Sequence, residues 1–473
     1  MSLSHARPRT LGRLAVSAAM FVGAVAVGLS IGGSGRTIAA TGDPLGAGGE
    51  YHPVTPVRVF DSRDDALDGR DGAVARLPMT AAGATVDVDI SGAPGLPEFM
   101  AASDGTDANV LAVAVNITVI NPTQVGYLQA YGAGATAGES SLVNFYQGEF
   151  VPNSAILRPG TDGKLTVKLV APIAAGEADV AIDLFGRFST STYETNGARV
   201  VPAGPGRIFD SRDYDEAGSV PLDAGEQVTL PIRGADATNP TQTDVVPDSD
   251  DVVGVLINIT GVNNLADSAG TFVSALPEPV AAGATPTTSN LNLLPGQVRS
   301  VMAIVPVGDD GSISLYNLAG QAHVIVDVVG YLVDGADPAT RAGRVVPLVA
   351  PYRALDTRAS QHGATPLGPG RAETWSFESF ANDVKIGGEP VGPQLGLLGN
   401  LTATELARQY PTQFTASFLT AFPPPAPGAA AVPEVSNITI TEGQTMPNLA
   451  LLRYGASESD DRCTDPVCVR FYN

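Results

Sequence analysis

One short phrase, R-x-[FL]-D-[ST]-R, occurs three times in this chain of 473 residues. Its copies begin at Arg58, Arg207 and Arg353, which are 149 and then 146 residues apart. A spacing this regular predicts three tandem domains of about 150 residues each. We call each copy a clasp, formed by two arginines and the aspartate between them. The three clasps comprise Arg58, Asp61 and Arg63, then Arg207, Asp210 and Arg212, then Arg353, Asp356 and Arg358.

Short strand-like runs follow each clasp at matched places. Alternation of polar and apolar residues at 85–90 and 227–232 predicts half-buried strands. The later runs at 111–118, 253–260 and, more weakly, 397–402 are apolar on both faces, which predicts central strands. With 53 Gly, 37 Pro and almost no helical periodicity, the sequence favours an all-β fold of antiparallel β-sandwiches, with small barrels as the alternative.

The repeats set the domain boundaries. Residues 41–190 form the first β-domain, 196–335 the second and 341–473 the third. The first two repeats close with related runs at 180–188 and 324–332, whereas the last residues of the third, 470–473, align with 314–317. We therefore expect a third domain that lacks its last strand, or that is completed from outside, because an open sheet edge is prone to pairing.

The N-terminal residues 1–40 have the pattern of a signal peptide. Three arginines, Arg7, Arg9 and Arg13, precede an apolar run at 14–33, and small residues near Ala39 and Ala40 predict cleavage there. We expect export by the general secretory route to the cell surface or the extracellular medium. The alternative is an uncleaved anchor, in which case this segment is the chain's only contact with a membrane.

Charge and cysteine content exclude some partners and indicate a compartment. The formal net charge of −22 disfavours binding to nucleic acid and to anionic membranes. Cys463 and Cys468 are the only two cysteines. In an exported protein such a close pair predicts a disulfide, with two free thiols as the alternative.

The pattern resembles a tandem repeat domain of exported proteins from actinobacteria and related soil bacteria. That family has a Pro-x-Arg-x-x-Asp-Thr-Arg opening, an Asn-x-Thr strand, a Ser-x-x-Asn hairpin and a Val-Asp-x-x-Gly-Tyr ending. The corresponding segments here include 351–358, 116–118, 289–292 and 326–331, whereas the third repeat has Thr439 in place of the hairpin Asn and has no such ending. The resemblance implies a surface or secreted accessory protein and no established activity.

The clasps have two interpretations. In the structural one, the aspartate accepts hydrogen bonds from an arginine and pins the first strand of its domain. Strand alternation places Asp61 and Arg63 on one face and Arg58 on the other, so we predict a direct Asp61–Arg63 contact unless the strand ends there. In the functional one, the guanidinium groups bind an anionic or sugar ligand.

The sequence predicts no metal or other cofactor. Acidic runs at 61–68, 210–216, 248–251 and 458–461 are Ca²⁺ candidates, but solvated loops are the preferred interpretation. The Asn-x-Thr triplets begin at Asn116, Asn258, Asn400 and Asn437. We expect these asparagines to form strand or turn hydrogen bonds instead of carrying glycans.

The sequence favours a non-catalytic structural or interaction protein. It has no HExxH or GxSxG motif, and a triplicated small β-domain is a poor setting for one unique active site. The first alternative is a module that binds cell-wall or extracellular polysaccharide, with Tyr127, Tyr131, Phe145 and Tyr146 as candidate stacking rings. The second is a secreted hydrolase, which requires two carboxyl groups roughly 5–9 Å apart in a cleft. Other surface proteins are the remaining class of partner.

Overall fold

A computed structural model gives the fold of the chain. It describes residues 28–31, 48–64, 66, 75–99, 109–190, 197–213, 220–263, 269–335, 340–348, 351–359, 365–386, 389–390, 393–404, 416–425, 432–456, 463 and 467–473. The predicted signal segment therefore lies outside the described residues except for 28–31. Among the described residues, no helix is both long and apolar enough to cross a membrane.

The first strand precedes the repeats and the next nine belong to the first repeat. The strands are β1 Gly28–Ile31, β2 Gly49–Asp61, β3 Leu77–Met79, β4 Ala84–Asp89, β5 Ala112–Ile120, β6 Gly126–Gly132, β7 Val143–Phe145, β8 Phe150–Leu157, β9 Lys164–Val170 and β10 Gly176–Thr190. They form an inner sheet in the order β2-β10-β5-β8 and an outer sheet in the order β4-β9-β6-β7.

The second repeat has the same plan. Its strands are β11 Arg199–Asp210, β12 Gln227–Pro231, β13 Ala237–Thr238, β14 Thr241–Gln242, β15 Val252–Val262, β16 Thr271–Leu276, β17 Leu291–Leu293, β18 Val298–Pro306, β19 Ser312–Asn317 and β20 His323–Val333. The inner sheet runs β11-β20-β15-β18 and the outer sheet runs β12-β19-β16-β17. In both repeats the last strand is antiparallel to both of its neighbours.

The third repeat contains β21 Arg344–Val346, β22 Ala372–Ser376, α1 Glu378–Asp383, β23 Lys385–Ile386, β24 Glu389–Pro390, β25 Gly396–Thr404, β26 Ala416–Phe422, β27 Ile438–Thr441, β28 Thr445–Arg453 and β29 Cys468–Tyr472. Its outer sheet, β22-β29-β26-β27, matches those of the other repeats. Its inner strands have the order β21-β1-β25-β28, and the pairing of Gly49 in β2 with Val345 in β21 joins them to the inner sheet of the first repeat as one nine-stranded sheet. In this sheet, β1 occupies the place that β10 and β20 hold in the first two repeats. Unlike them, β1 runs parallel to both neighbours.

These sheets confirm the predicted all-β class and the antiparallel sandwich. Each repeat has its own apolar core between its two sheets, and among the described strands the only parallel pairings are those of β1 with β21 and β25. A barrel would close one continuous sheet on itself, whereas here the two sheets of each repeat are separate.

A further apolar cluster joins the three repeats to one another. It contains Tyr51 and Ile156 from the first, Leu256 from the second, and Leu398 and Leu451 from the third, all buried. These side chains lie on the face of each inner sheet that points away from its own core. This explains why β5 is buried along its whole length: one face packs inside its sandwich and the other packs against the neighbouring repeats.

Candidate functional site

In the first repeat the clasp is a compact ion-paired turn at the end of β2. Arg63 Nε and Nη2 donate to the two carboxylate oxygens of Asp61, each at 2.8 Å, and the Arg63 backbone N–H donates to the same group at 3.0 Å. The predicted contact between Asp61 and Arg63 is therefore present. Arg212 and Arg358 make the same three bonds to Asp210 and Asp356.

The predicted separation of Arg58 from Asp61 is wrong. Arg58 Nη1 donates to Asp61 at 3.0 Å. The pairing of β2 with β10 passes from Arg58 opposite Asp183 to Phe60 opposite Ile182, which leaves Val59 as a β-bulge. A bulge adds one residue to a strand and thereby resets its alternation, so both side chains come to the same face.

An aspartate of the last strand completes the clasp in the first two repeats. Arg58 Nε and Nη2 donate to the carboxylate of Asp183 at 2.8 and 3.1 Å. Arg207 Nε donates to Asp327 at 2.9 Å. Asp183 lies in Ile182-Asp183-Leu-Phe-Gly186 and Asp327 in Val326-Asp327-Val-Val-Gly330. The first and last segments of the first two repeats therefore meet in one ion-paired group.

The third clasp has no last-strand aspartate among the described residues. Arg353 Nη1 donates to Asp356 at 3.2 Å and Nη2 donates to the backbone carbonyl of Glu139 in the first repeat at 2.9 Å. The Arg353 side chain is 33% exposed, compared with 13% for Arg207.

The pKa values of the aspartate between the two arginines and of the last-strand aspartate are shifted in opposite directions. Burial by itself raises the pKa of Asp61 and Asp210, but hydrogen bonds and charge from the adjacent arginines outweigh it, so the pKa of each lies below its ordinary value. Burial dominates for Asp183 and Asp327 and raises their pKa despite the arginine partner. The clasp is therefore a coupled group of charges and not a set of independent carboxylates.

The Asn-x-Thr asparagines make contacts that sequence reasoning missed. Asn116 Nδ2 in the first repeat donates to the Ser289 carbonyl of the second at 2.7 Å. Asn258 in the second donates to the Ser436 carbonyl of the third. Asn400 in the third donates to the Ser141 carbonyl of the first at 2.7 Å, which closes a ring of three equivalent contacts.

Three of these asparagines therefore bond to a different repeat, and not within their own strand or turn as expected. The fourth, Asn437, accepts from the backbone N–H of Ala421 within its own repeat at 2.7 Å. A signal for the ring was available: the Asn-x-Thr strand and the Ser-x-x-Asn hairpin recur together in the sequence, although nothing in it shows that they meet across repeats.

A second set of contacts that sequence reasoning missed is an ion-paired group at the start of the first strand of each repeat. Glu50, Arg199 and Arg344 occupy the same position, eight or nine residues before each clasp. One oxygen of Glu50 accepts from Arg199 Nε and Nη2 at 3.2 and 3.0 Å and from Arg344 Nε at 3.0 Å. All three side chains are only 3% exposed. The three repeats thus meet at a buried ion-paired group.

The four candidate stacking rings do not form one exposed row. Phe145 belongs to the core of the first repeat and Tyr131 is buried. Tyr146 donates its hydroxyl to the Gly443 carbonyl and accepts from the Thr445 N–H in the third repeat. Tyr127 is half-buried on the outer sheet. At its equivalent position in the third repeat, Phe418 is 39% exposed, with its ring centroid 6.1 Å from that of Tyr472.

The disulfide between Cys463 and Cys468 is present, which confirms the predicted pairing. Within the described part of the chain, no group of three or more His, Cys, Asp or Glu side chains is placed to hold a metal ion. Parts of the acidic Ca²⁺ candidates, among them Asp65, Asp68, Asp215 and residues 458–461, lie outside the described residues.

No protein-family model and no curated protein matches this chain. Among solved structures, it is similar to the N-terminal CBM22-1–CBM22-2 tandem domain of Xyn10C from Paenibacillus barcinonensis, at 10% identity over 63% of this chain and all of that one, with a TM-score of 0.17. It is also similar to the plant receptor-like kinase ANX2, at 11% identity over 62% of this chain and 91% of that one, with a TM-score of 0.18. Similarity at this level assigns no function.

Proposed function

We propose that this protein is a non-catalytic structural or interaction protein of the cell surface or extracellular medium, whose three repeats form one rigid body. The observation that carries the proposal is the ring of contacts from Asn116, Asn258 and Asn400 to the hairpin of the next repeat. The shared apolar cluster and the buried group around Glu50 reinforce that ring. The repeated polar motifs are thereby used to hold the repeats together.

The chemistry of the clasps supports a structural role. Asp61 and Asp210 each accept hydrogen bonds from two arginines, which occupy the carboxylate oxygens and favour the ionised form. A general acid or base near neutral pH needs a pKa close to that pH and a free approach to substrate. Asp61 and Asp210 offer neither.

Export is supported by two independent features. The Cys463–Cys468 disulfide is typical of proteins that reach an oxidising compartment. The basic and apolar pattern of residues 1–40 is that of a signal peptide. We infer that the rigid body is presented outside the cytoplasm.

Calorimetry and activity assays of the full chain test this proposal. A body held together by shared contacts should unfold in one cooperative transition, whereas three independent domains would give separable transitions. No reducing sugar should be released from a panel of cell-wall and extracellular polysaccharides. Sustained turnover of any of them would refute the non-catalytic assignment.

A second candidate function is binding of an extracellular polysaccharide through the outer sheet of the third repeat. Exposed Phe418 and half-buried Tyr472 form an aromatic pair on that sheet. The position of Phe418 is aromatic in all repeats: Tyr127, Phe272 and Phe418 lie opposite Asn144, Asn292 and Thr439 on the adjacent strand. Aromatic rings at a protein surface present a large apolar face that a sugar ring can cover.

Retention on insoluble cell-wall glycans separates the two candidates. If the aromatic pair binds sugar, the full chain should be retained and the double substitution Phe418→Ala/Tyr472→Ala should lose retention at least about tenfold. The control is Ile173→Ala, which removes an apolar side chain that is 80% exposed in the first repeat. No retention of the unchanged chain would exclude the polysaccharide-binding candidate and leave the structural one.

A further inference from the structure

In the described part of the third repeat, the place that the repeat's own last strand holds in the first two repeats is filled only in part, by β1; we call the remainder of this place the gap. In those repeats, β10 and β20 lie between the first strand and the Asn-x-Thr strand and pair with both. In the third repeat, β21 and β25 flank the equivalent place. No strand of the third repeat's described residues enters it; only the four residues of β1 do.

The pairing of β1 with its neighbours is short. It matches three residues of β21 and two of β25, whereas β10 pairs with β5 over nine residues. The first strand of the repeat shortens accordingly, from 13 residues in β2 to three in β21. A β-strand persists only where its backbone groups have a partner, so the missing partner accounts for the shortening.

Burial along β25 shows the same gap independently. Every residue of its equivalent β5 is buried. In β25, only Gly396, Leu397 and Leu398 are buried, Asn400 is exposed, and the rest of the strand is half-buried. Among the described residues, no strand pairs with this edge of β25 beyond Leu398, and unpaired edges bind extended segments through main-chain hydrogen bonds.

The first two repeats define the chemistry of the strand that this gap accepts. Their last strands bring Asp183 and Asp327 opposite the clasp arginines Arg58 and Arg207. Three residues later comes a glycine at which a Cβ would approach a neighbouring side chain within 2.4 Å at Gly186 and 2.8 Å at Gly330. The equivalent arginine, Arg353, is 33% exposed and has no last-strand carboxylate among the described residues.

We propose that the gap between β21 and β25 is an acceptor site for a strand donated by a partner protein. The donated strand runs antiparallel to β21 and β25, is apolar on both sides of an aspartate that binds Arg353, and has a glycine three residues after that aspartate. The segment 28–31, Gly-Leu-Ser-Ile, has neither the aspartate nor the antiparallel direction. It also belongs to the segment predicted to be cleaved, so we treat it as a temporary occupant.

A labelled peptide of residues 322–334, the last strand of the second repeat, is the probe. The acceptor is the full chain with Leu29→Pro and Ser30→Pro, which removes two consecutive N–H groups of β1 and so weakens its pairing with both neighbours. The peptide should bind this variant at least about tenfold more tightly than it binds the unchanged chain. A peptide carrying Asp327→Asn should bind at least about tenfold more weakly, because a hydrogen-bonded charge is lost.

The substitution Arg353→Gln in the acceptor assigns the binding to the gap. With Arg353 replaced, the two peptides should bind equally, whereas Arg233→Gln, which removes an arginine of the second repeat, should leave their difference unchanged. Hydrogen exchange provides a readout that does not depend on affinity: those amides of 399–404 that do not bond to β28 should exchange fast in the proline variant and become protected on adding the peptide.

Two results would overturn the proposal. If the amides of 399–404 that point away from β28 stay protected in the proline variant without peptide, the gap is closed by the chain itself. Dimers of the proline variant that form with rising concentration and protect the same amides would identify a second copy of the chain, and not a separate partner, as the strand donor.

Discussion

Asn448 Nδ2 donates to the side-chain oxygen of Asn258 at 2.7 Å, which joins the third repeat to the Asn-x-Thr strand of the second. The equivalent bond between the third and first repeats runs from Asn153 to Asn400 at 2.9 Å. Between the first and second repeats, the corresponding residue is Val301, which cannot donate, and the side-chain oxygen of Asn116 is buried without a partner in the described structure. One side of the ring is therefore weaker than the other two.

Asn448→Val should weaken the contact between the third and second repeats to the level of the contact between the second and first. The change leaves the Asn258 oxygen without its donor and also removes the acceptor of the Met302 N–H. Unsatisfied buried groups cost about 1–3 kcal/mol each, so we expect a loss of at least that size in the free energy of unfolding. Denaturant unfolding measures it, and an unchanged midpoint would contradict the assigned contact.

The reverse substitution, Val301→Asn, should be tolerated although Val301 is buried. The asparagine would lose apolar burial but would provide Asn116 with the missing donor. We expect a change in stability below about 1 kcal/mol, because the two effects oppose each other. The matched control is Val115→Asn, which places an amide in the apolar core of the first repeat. Its cost in the free energy of unfolding should be several times larger.

Removing the carboxylate at the junction of the three first strands should be costly. Glu50→Ala leaves Arg199 and Arg344 buried without that shared acceptor. Breaking one partner of a buried ion pair typically costs about 3–5 kcal/mol. Calorimetry should show a lower melting temperature and, because the repeats are uncoupled, a broader or split transition. As a control, Asp250→Ala removes the fully exposed partner of Arg233 and should leave the transition unchanged.

Asp210→Ala should destabilise the second repeat by about 1–3 kcal/mol, because it removes the carboxylate that pairs with Arg212 and one of the two carboxylates that pair with Arg207. Asp356→Ala should cost less, since Arg353 and Arg358 are more exposed to water. The pKa of Asp210 is lowered in the fold, so its contribution is complete above the unfolded pKa near 4 and is lost as pH falls toward the folded pKa. Equal costs for the two substitutions would contradict a role for the last strand in the clasp.

His323 should make stability depend on pH near neutrality. It begins β20, lies 3.0 Å from Ser211 Oγ through Nδ1, and its pKa is lowered first by burial and then by the charge of Arg212. A histidine with a lowered folded pKa contributes stability above its unfolded pKa of about 6.5, and that contribution is lost as pH falls through this value toward the folded pKa. His323→Gln should flatten the dependence of the melting temperature on pH between about 7 and 5. An unaltered slope would refute this assignment.

The sequence by itself determined the number of repeats, the antiparallel β-sandwich class, the disulfide and the contact between Asp61 and Arg63. Each of these follows from local information: a fixed spacing, alternation at period two, two close cysteines, or residues that share a strand face. The same local rule failed for Arg58, because a β-bulge at Val59 depends on how β2 pairs with a strand about 120 residues away.

Only the tertiary structure decided what the repeated motifs do. The apolar sequence of β5 predicted a buried strand, but which residues cover its second face depends on how the three folded sandwiches pack. Glu50 and Arg344 are 294 residues apart, and Asn258 and Asn448 are 190 apart. No periodicity links such positions, because they meet only when the third repeat returns to the first. In the first two repeats, the clasps join the first strand to the last strand of the same sandwich. The Asn-x-Thr asparagines and Glu50 join different repeats to one another.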